Sequence, residues 1–270
     1  MTPNNATHAK TPHFGALKLG KQAPRHDPRT LKLGNYTAKL APAPLVFDQT
    51  ARATNFGMML NDQLGDCTIA AVAHQQQLWT SQTAAEVTAP DAQVLAAYEA
   101  VGGYVPGNAS TDNGCVMLEV LRYWKAHGMF GRPLGAYTSV NPTKRQEVMD
   151  AIYYFGGIYL GLALPLSAQT QSEWDVVQGP NAQAGSWGGH CVVGAEYSFP
   201  AATTASHIPR TITCITWGQR LTMTWSFFAT YVDECYALLS PDWINAATGK
   251  CPEGFDLAAL QRDLAALRGA

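Results

Sequence analysis

Three short stretches place reactive residue types where their surroundings would sharpen their chemistry. In LNDQLGDCTIAAVAH, no Gly or Pro falls between Cys67 and Ala89, so a helix is expected to start at Asp66-Cys67 and run toward Ala89. The positive end of its dipole and its unpaired first-turn N–H groups would favour a thiolate, the nucleophilic form of sulfur. Asp66 can cap this helix, although its charge opposes the thiolate. Thr68, Ala70 and Ala71 are small enough to let another lobe approach. In GSWGGHCVVGAEY, three glycines precede His190 as it enters a strand, which predicts an imidazole on an exposed lip. CITWGQ, residues 214–219, reads as a strand ending in Trp217-Gly218.

Taken singly, each stretch has a plainer reading. A cysteine opening a helix is more commonly a small buried apolar residue, and a lone His at a strand end is commonly just polar. The other histidines are worse placed. His74 lies roughly 10 Å from Cys67 along the same helix, too far to take its proton. His8, His13 and His26 fall in the N-terminal segment, His127 ends a helix, and His207 sits in a Pro-bounded loop.

The elements that must position these residues change character along the chain. After the Cys67 helix, further helices are expected over roughly 91–101, 115–127 (Met117, Val120, Leu121 and Trp124 on one stripe, Gly128 ending it) and 143–155, stopped by Gly156-Gly157. Ile158–Leu164 then reads as a buried strand. His190–Tyr197 alternates, with Cys191, Val193, Ala195 and Tyr197 on one face, and Ile212–Trp217 and Leu221–Trp225 follow as strands. An amphipathic helix capped by Asp256 carries Leu257, Leu260, Leu264 and Leu267. Helices first and strands afterwards predict an α+β fold of two lobes with the site at their seam. The expected organisation is an extended arm over 1–50, a domain over 51–250 (helical lobe about 51–155, β lobe about 156–240) and a C-terminal helix over 251–270.

A helical Cys, then a Gly-framed His on a strand, then a strand ending in Trp-Gly is an order that resembles the papain-like cysteine peptidases. HCVVGAEY is similar to that family's His-Ala-Val…Gly-Tyr and ITWG to its Asn-Ser-Trp-Gly; DNGCVMLEVLRYWKAHG and VMDAIYYFGGIYLGLALP resemble its intervening helix and helix–strand units. The likeness spans about residues 50–240. It implies a papain-like fold and a cysteine hydrolase, peptidase or amidase, with Cys67 attacking a carbonyl, His190 shuttling the proton and no cofactor. The family's oxyanion glutamine falls on Asn61, one methylene shorter, with Gln63 the second choice. Its His-orienting asparagine falls on Ile215, which has no side-chain polar atom; Thr216 or Gln219 could substitute, and Trp217 would support the site. Gly-Asp-Cys-Thr replaces Gly-Ser-Cys-Trp, and this Asp-Cys pair is closer to bacteriocin-processing peptidases. The pattern NDxxGDCTxAAxxH with TDNG, TWG and MTW also resembles uncharacterised proteins of bacteria and tailed phages. That resemblance implies the alternative, a non-enzymatic virion or assembly component.

The bulk composition narrows the classes. With 47% hydrophobic and 14% charged residues the 270-residue chain can build a large core, and its net charge of −2 argues against nucleic acid as main partner. Residues 1–50 carry a net +5 and six prolines, leaving −7 on the rest. This arm is expected to add no strand or helix to the core and to lie along an acidic surface, either as a pro-segment over the cleft or as an assembly arm on virion or homo-oligomer neighbours. Its ALKLG (16–20) and TLKLG (30–34) echo each other as two docking points or by chance. The six cysteines form no CxxC pair, and the Cys and His residues have no metal-ligand spacing. No apolar run is long enough to span a membrane and the N-terminus lacks a signal-peptide core, so a cytoplasmic or virion location is expected.

Overall fold

The computed structural model describes residues 13–37, 40–83, 85–200 and 209–243. In chain order its elements are α1 (Gly34–Thr37), β1 (Val46–Asp48), α2 (Cys67–Thr83), α3 (Asp91–Gly102), α4 (Met117–His127), β2 (Ala136–Ser139), α5 (Arg145–Phe155), β3 (Ile158–Leu164), β4 (Glu173–Trp174), β5 (Gly188–Ser198), β6 (Thr211–Thr216), β7 (Gln219–Thr224), α6 (Trp225–Tyr231) and β8 (Val232–Leu239). The class is α+β. The expected C-terminal helix lies outside the described residues, as do His8, His207 and Cys251.

Helix α2 is buried on every side from Cys67 to Thr80, which is why its sequence shows no amphipathic stripe. Its polar residues serve as donors to loop carbonyls that would otherwise be orphaned inside the protein. Gln75 Nε2 reaches the Gly156 oxygen at 2.9 Å, Gln76 Nε2 the Met129 oxygen at 3.0 Å, and Gln77 Nε2 the Asn55 oxygen. Trp79 Nε1 donates to the Phe155 carbonyl at 2.7 Å. The helix ends at Thr83, short of the expected Ala89: Thr83 Oγ1 turns back to the Trp79 carbonyl, and the Val87 N–H is taken by Thr80 Oγ1.

One sheet runs in the order β2-β8-β3-β5-β6-β7-β4, antiparallel except for β4–β7. β1 takes over beside β5 at Glu196–Ser198, where β3 has ended at Gly194. Both faces of β5 are covered, α2 lying against it, so the alternation expected for His190–Tyr197 does not appear as an exposed face.

Several expectations change. The segment before residue 50 supplies α1 and β1, and Phe14, Leu33 and Ala43 join the core. β2 lies within the expected helical lobe yet pairs with β8, a strand that no local sequence signal announces. Trp225 opens α6 instead of finishing a strand, because Thr224 Oγ1 caps the Phe227 N–H at 3.0 Å. The two Leu-Lys-Leu-Gly copies dock differently: Leu33 is fully buried with its N–H on the Ser139 carbonyl, whereas the first copy runs into the site described next.

Candidate active site

Cys67 is the first residue of α2, and Asp66 is the residue before it, its carbonyl accepting from the Ile69 and Ala70 amides. The Asp66 side chain does not cap: it is fully buried and its oxygens make no well-formed hydrogen bond. Burial holds this carboxyl well above the usual range, with the Asn61 amide only tempering the shift. Asn61 itself is buried and donates Nδ2 to the Leu64 carbonyl at 3.1 Å, while Gln63 is exposed. The turn that carries them is bent at Met59 and Leu60, which hold φ of 56° and 64°, a conformation rare for side-chain-bearing residues and concentrated at functional sites.

His190 lies on β5 and is completely buried, not on an exposed lip. The lip is absent because Trp217 stacks on the imidazole at 4.3 Å and 19°, itself flanked by Trp187 and by Phe14. His190 Nε2 meets Thr216 Oγ1 at 2.7 Å, and Nδ1 has no hydrogen-bond partner. Of the two candidate replacements for the His-orienting asparagine, Thr216 thus sits on the ring; Gln219 is exposed and meets Thr216 only through the β6–β7 backbone ladder. Burial lowers the imidazole to about 3, so the ring is neutral.

A stretch of the chain's own N-terminal segment runs over these groups. Lys18 N–H donates to the Asn61 carbonyl at 3.2 Å, and the Lys18 carbonyl accepts from Trp217 Nε1 at 3.1 Å. The Gly20 and Lys21 amides both reach the Gly189 carbonyl, beside His190. On the other wall, Cys115 N–H donates to the Gly20 carbonyl at 2.8 Å and Gln22 N–H to the Cys115 carbonyl at 3.0 Å, a parallel bridge. Gly20 passes so close to Gly65 that a side chain at residue 20 has no room. Asp112 fixes both walls: its Oδ1 accepts from the Gly65 amide and from the Tyr98 hydroxyl, which in turn accepts from the Gly114 amide.

Beneath this cover the Cys67 thiol is pushed up to about 12, chiefly by burial. The backbone amides of Cys191 and Gly20 face the sulfur and favour the thiolate, but Asp66 and the loss of water outweigh them. The reactive thiol expected from the helix terminus alone is therefore not the state in this structure. Burial also governs His74, lowered to about 4, which contacts the Gly57 carbonyl at 2.9 Å and supports the loop before the site.

No family model matches the sequence, and no curated protein matches it. Among solved structures the chain is similar to xylellain, a cysteine protease from Xylella fastidiosa (TM-score 0.60, 11% identity, covering 83% of this chain and 96% of that one). It is also similar to proCathepsin B S9 from Trypanosoma congolense (TM-score 0.57, 10% identity, 84% and 88% covered) and to a digestive procathepsin L 3 of Tenebrio molitor larval midgut (TM-score 0.57, 12% identity, 83% and 77%). The fold is papain-like. At these identities the likeness concerns architecture, and the chemistry of the site depends on its own residues.

The papain-like frame accounts for the order of Cys67, His190 and Trp217 but not for Gly20, Lys21, Asp112 or Tyr98. The sequence signals that could have found them are TDNG, whose Asp and Gly build one wall, and the first Leu-Lys-Leu-Gly copy, whose glycine is followed by a lysine. Among the described residues no group of His, Cys, Asp and Glu is placed to hold a metal ion, and no helix is long and apolar enough to cross a membrane.

Proposed function

We infer that this chain is a papain-like cysteine hydrolase, a peptidase or amidase, in a closed state with its N-terminal segment as the plug. The observation that carries this reading is residues 18–22 themselves. An extended polypeptide lies across the nucleophile position, held on both sides by backbone hydrogen bonds, which is how a peptide substrate would be recognised. Residues 18–22 lie over the Cys67 position instead of running away from it, which supports a pro-segment over an assembly arm.

In the open state water reaches the site and the desolvation of Cys67 falls away, leaving the helix terminus and the Cys191 amide to favour the thiolate. Thr216 accepts from Nε2–H and so leaves Nδ1 as the basic nitrogen, while Trp217 keeps water from that bond. The sulfur attacks the substrate carbonyl as its proton passes to His190 Nδ1; the imidazolium returns that proton to the leaving amine, and water releases the thioester. The Cys67 N–H and the Asn61 amide, once freed from Leu64, are the donors for the oxyanion.

The test is peptide hydrolysis by full-length protein carrying Gly20→Ala, which cannot seat the plug, with Cys67→Ala and His190→Ala added separately. Hydrolysis that survives Cys67→Ala, or an opened chain that cleaves no peptide in a diverse library, rejects the reading.

A further inference from the structure

Lys21 is the most unusual residue of the plug. A lysine is rarely buried, yet this one is 7% exposed, and the end of its side chain is enclosed. Its ammonium meets Asp233 Oδ2 at 2.9 Å, Glu234 Oε1 at 3.4 Å and the Gln22 carbonyl at 3.2 Å. The space for its stem exists because residue 161, in the middle of β3, is glycine: a Cβ there would lie 2.2 Å from Lys21 Cε and 2.7 Å from the Met117 sulfur. Glycine weakens a strand interior, and the β3–β8 pairing slips in register at this point. The pocket is therefore built, at a cost to the sheet, for something that enters from the cleft.

Its charge says what enters. Two carboxylates face one ammonium, and Glu234 is almost wholly buried, with Oε2 fixed by the Tyr236 hydroxyl at 3.0 Å. Glu234 Oε1 lies toward the ammonium but makes no hydrogen bond. When the plug leaves, the buried Glu234 loses its cation and keeps only the Tyr236 hydroxyl, which is unfavourable for a carboxylate, while the more exposed Asp233 faces the emptied space. A planar guanidinium could satisfy both oxygens at once.

We propose that Gly161, Met117, Asp233 and Glu234 form a specificity pocket for a lysine or arginine side chain of a peptide substrate, and that Lys21 occupies it as an internal mimic. This rests on the hydrolase reading and names its substrate class. The Gly20 amide faces the Cys67 sulfur and Gly20 packs on Gly65, so Lys21, the next residue, adjoins the one facing the nucleophile.

The test uses full-length Lys21→Glu, whose new carboxylate is repelled by Asp233 and Glu234 and leaves the pocket empty; Lys21→Gln replaces it should the first variant not fold. Alkylation of Cys67 by iodoacetamide is followed by mass spectrometry in the presence of peptides of residues 16–24 bearing Lys, Arg, norleucine or Glu at position 21. Lys and Arg peptides should protect at concentrations at least about tenfold below norleucine, and Glu should not protect. Adding Asp233→Asn with Glu234→Gln should erase the difference, and Gly161→Ala should abolish protection by the Lys peptide. Equal protection by norleucine, a difference that survives the carboxylate changes, or no protection by any peptide overturns the pocket. Cleavage of a peptide library separates the two readings. Basic-selective protection without any cleavage leaves the pocket and rejects the hydrolase; cleavage with no preference for a basic residue leaves the hydrolase and rejects the pocket.

Discussion

Replacing Gly20 by alanine puts a methyl group where the Gly65 carbonyl already stands, 1.7 Å from its oxygen and 2.3 Å from its carbon. Gly65 cannot retreat, since its amide is tied to Asp112, which the Tyr98 hydroxyl also holds. The segment must therefore lift, losing the Gly20 and Lys21 bonds to Gly189 and the bridge to Cys115. With the cover gone, the burial that chiefly raises the Cys67 value is relieved. A thiol near about 12 has a thiolate fraction of ~3 × 10⁻⁵ at about pH 7.5, against ~10⁻¹ for an ordinary thiol. Alkylation of Cys67 should accelerate by up to about three orders of magnitude, less whatever the native chain achieves by transient opening. The assay is a timed iodoacetamide pulse with mass spectrometry of each cysteine. Cys214 and Cys235, buried in β6 and β8, are internal controls and should stay slow. Labelling of Cys67 as slow as in the native chain refutes the plug, and acceleration of all cysteines together means that the variant has unfolded.

Four further outcomes are expected. In the Gly20→Ala background, Thr216→Val should lower kcat by up to about 10² with little change in KM, and Thr216→Asn should restore part of it; an unchanged kcat removes Thr216 from the site. Asp66→Asn addresses linkage: because burial raises the folded-state carboxyl, the stability due to its protonated form is present below the unfolded value of about 4 and is lost as pH rises toward the folded value. The variant should lack that decline and gain about 1–3 kcal/mol on the native chain between acid and neutral pH, read from urea midpoints; parallel pH profiles would contradict this. Maturation should leave a new N-terminus before Val46, because β1 belongs to the sheet, and an intact N-terminus in the active protein would reject the pro-segment. Trp243→Ala should cost about 3–5 kcal/mol, since this ring is fully buried and donates to the Tyr154 carbonyl at 2.8 Å; a loss under about 1 kcal/mol would show that the described core does not depend on it.

Much of this protein could be read without coordinates. The helix after Asp66, the stop at Gly156-Gly157 and the strand Ile158–Leu164 follow from local signals: absence of breakers, glycine at a helix end, a continuous apolar run. The order Cys, His, Trp-Gly was enough to expect the papain-like fold, since it depends on residue type and sequence position alone. Local signals were weaker where partners lie far away. β8 carries Asp233 and Glu234 at its start and gives no clean alternation, and β1 and β2 are too short to have a period; each is a strand because a distant strand offers it a ladder.

What only the tertiary structure decided is the state of the site. Sequence places Cys67 at a helix start, a setting that favours a thiolate, and His190 behind flexible glycines, a setting that suggests exposure. Both settings belong to the residue's own element, whereas burial depends on what packs over it. Residues 14–22, together with Trp217 across the fold, remove water from the cysteine and the histidine, and desolvation outweighs the helix terminus. The same holds for Thr216, chosen over Gln219 by the register of β5 against β6, and for Lys21, whose meaning appears only when Gly161 and Glu234 are brought around it. Pattern along the chain sets which groups exist and which elements carry them; their ionisation and partners are set by residues far away in the chain, because solvent exclusion is a property of the assembled fold.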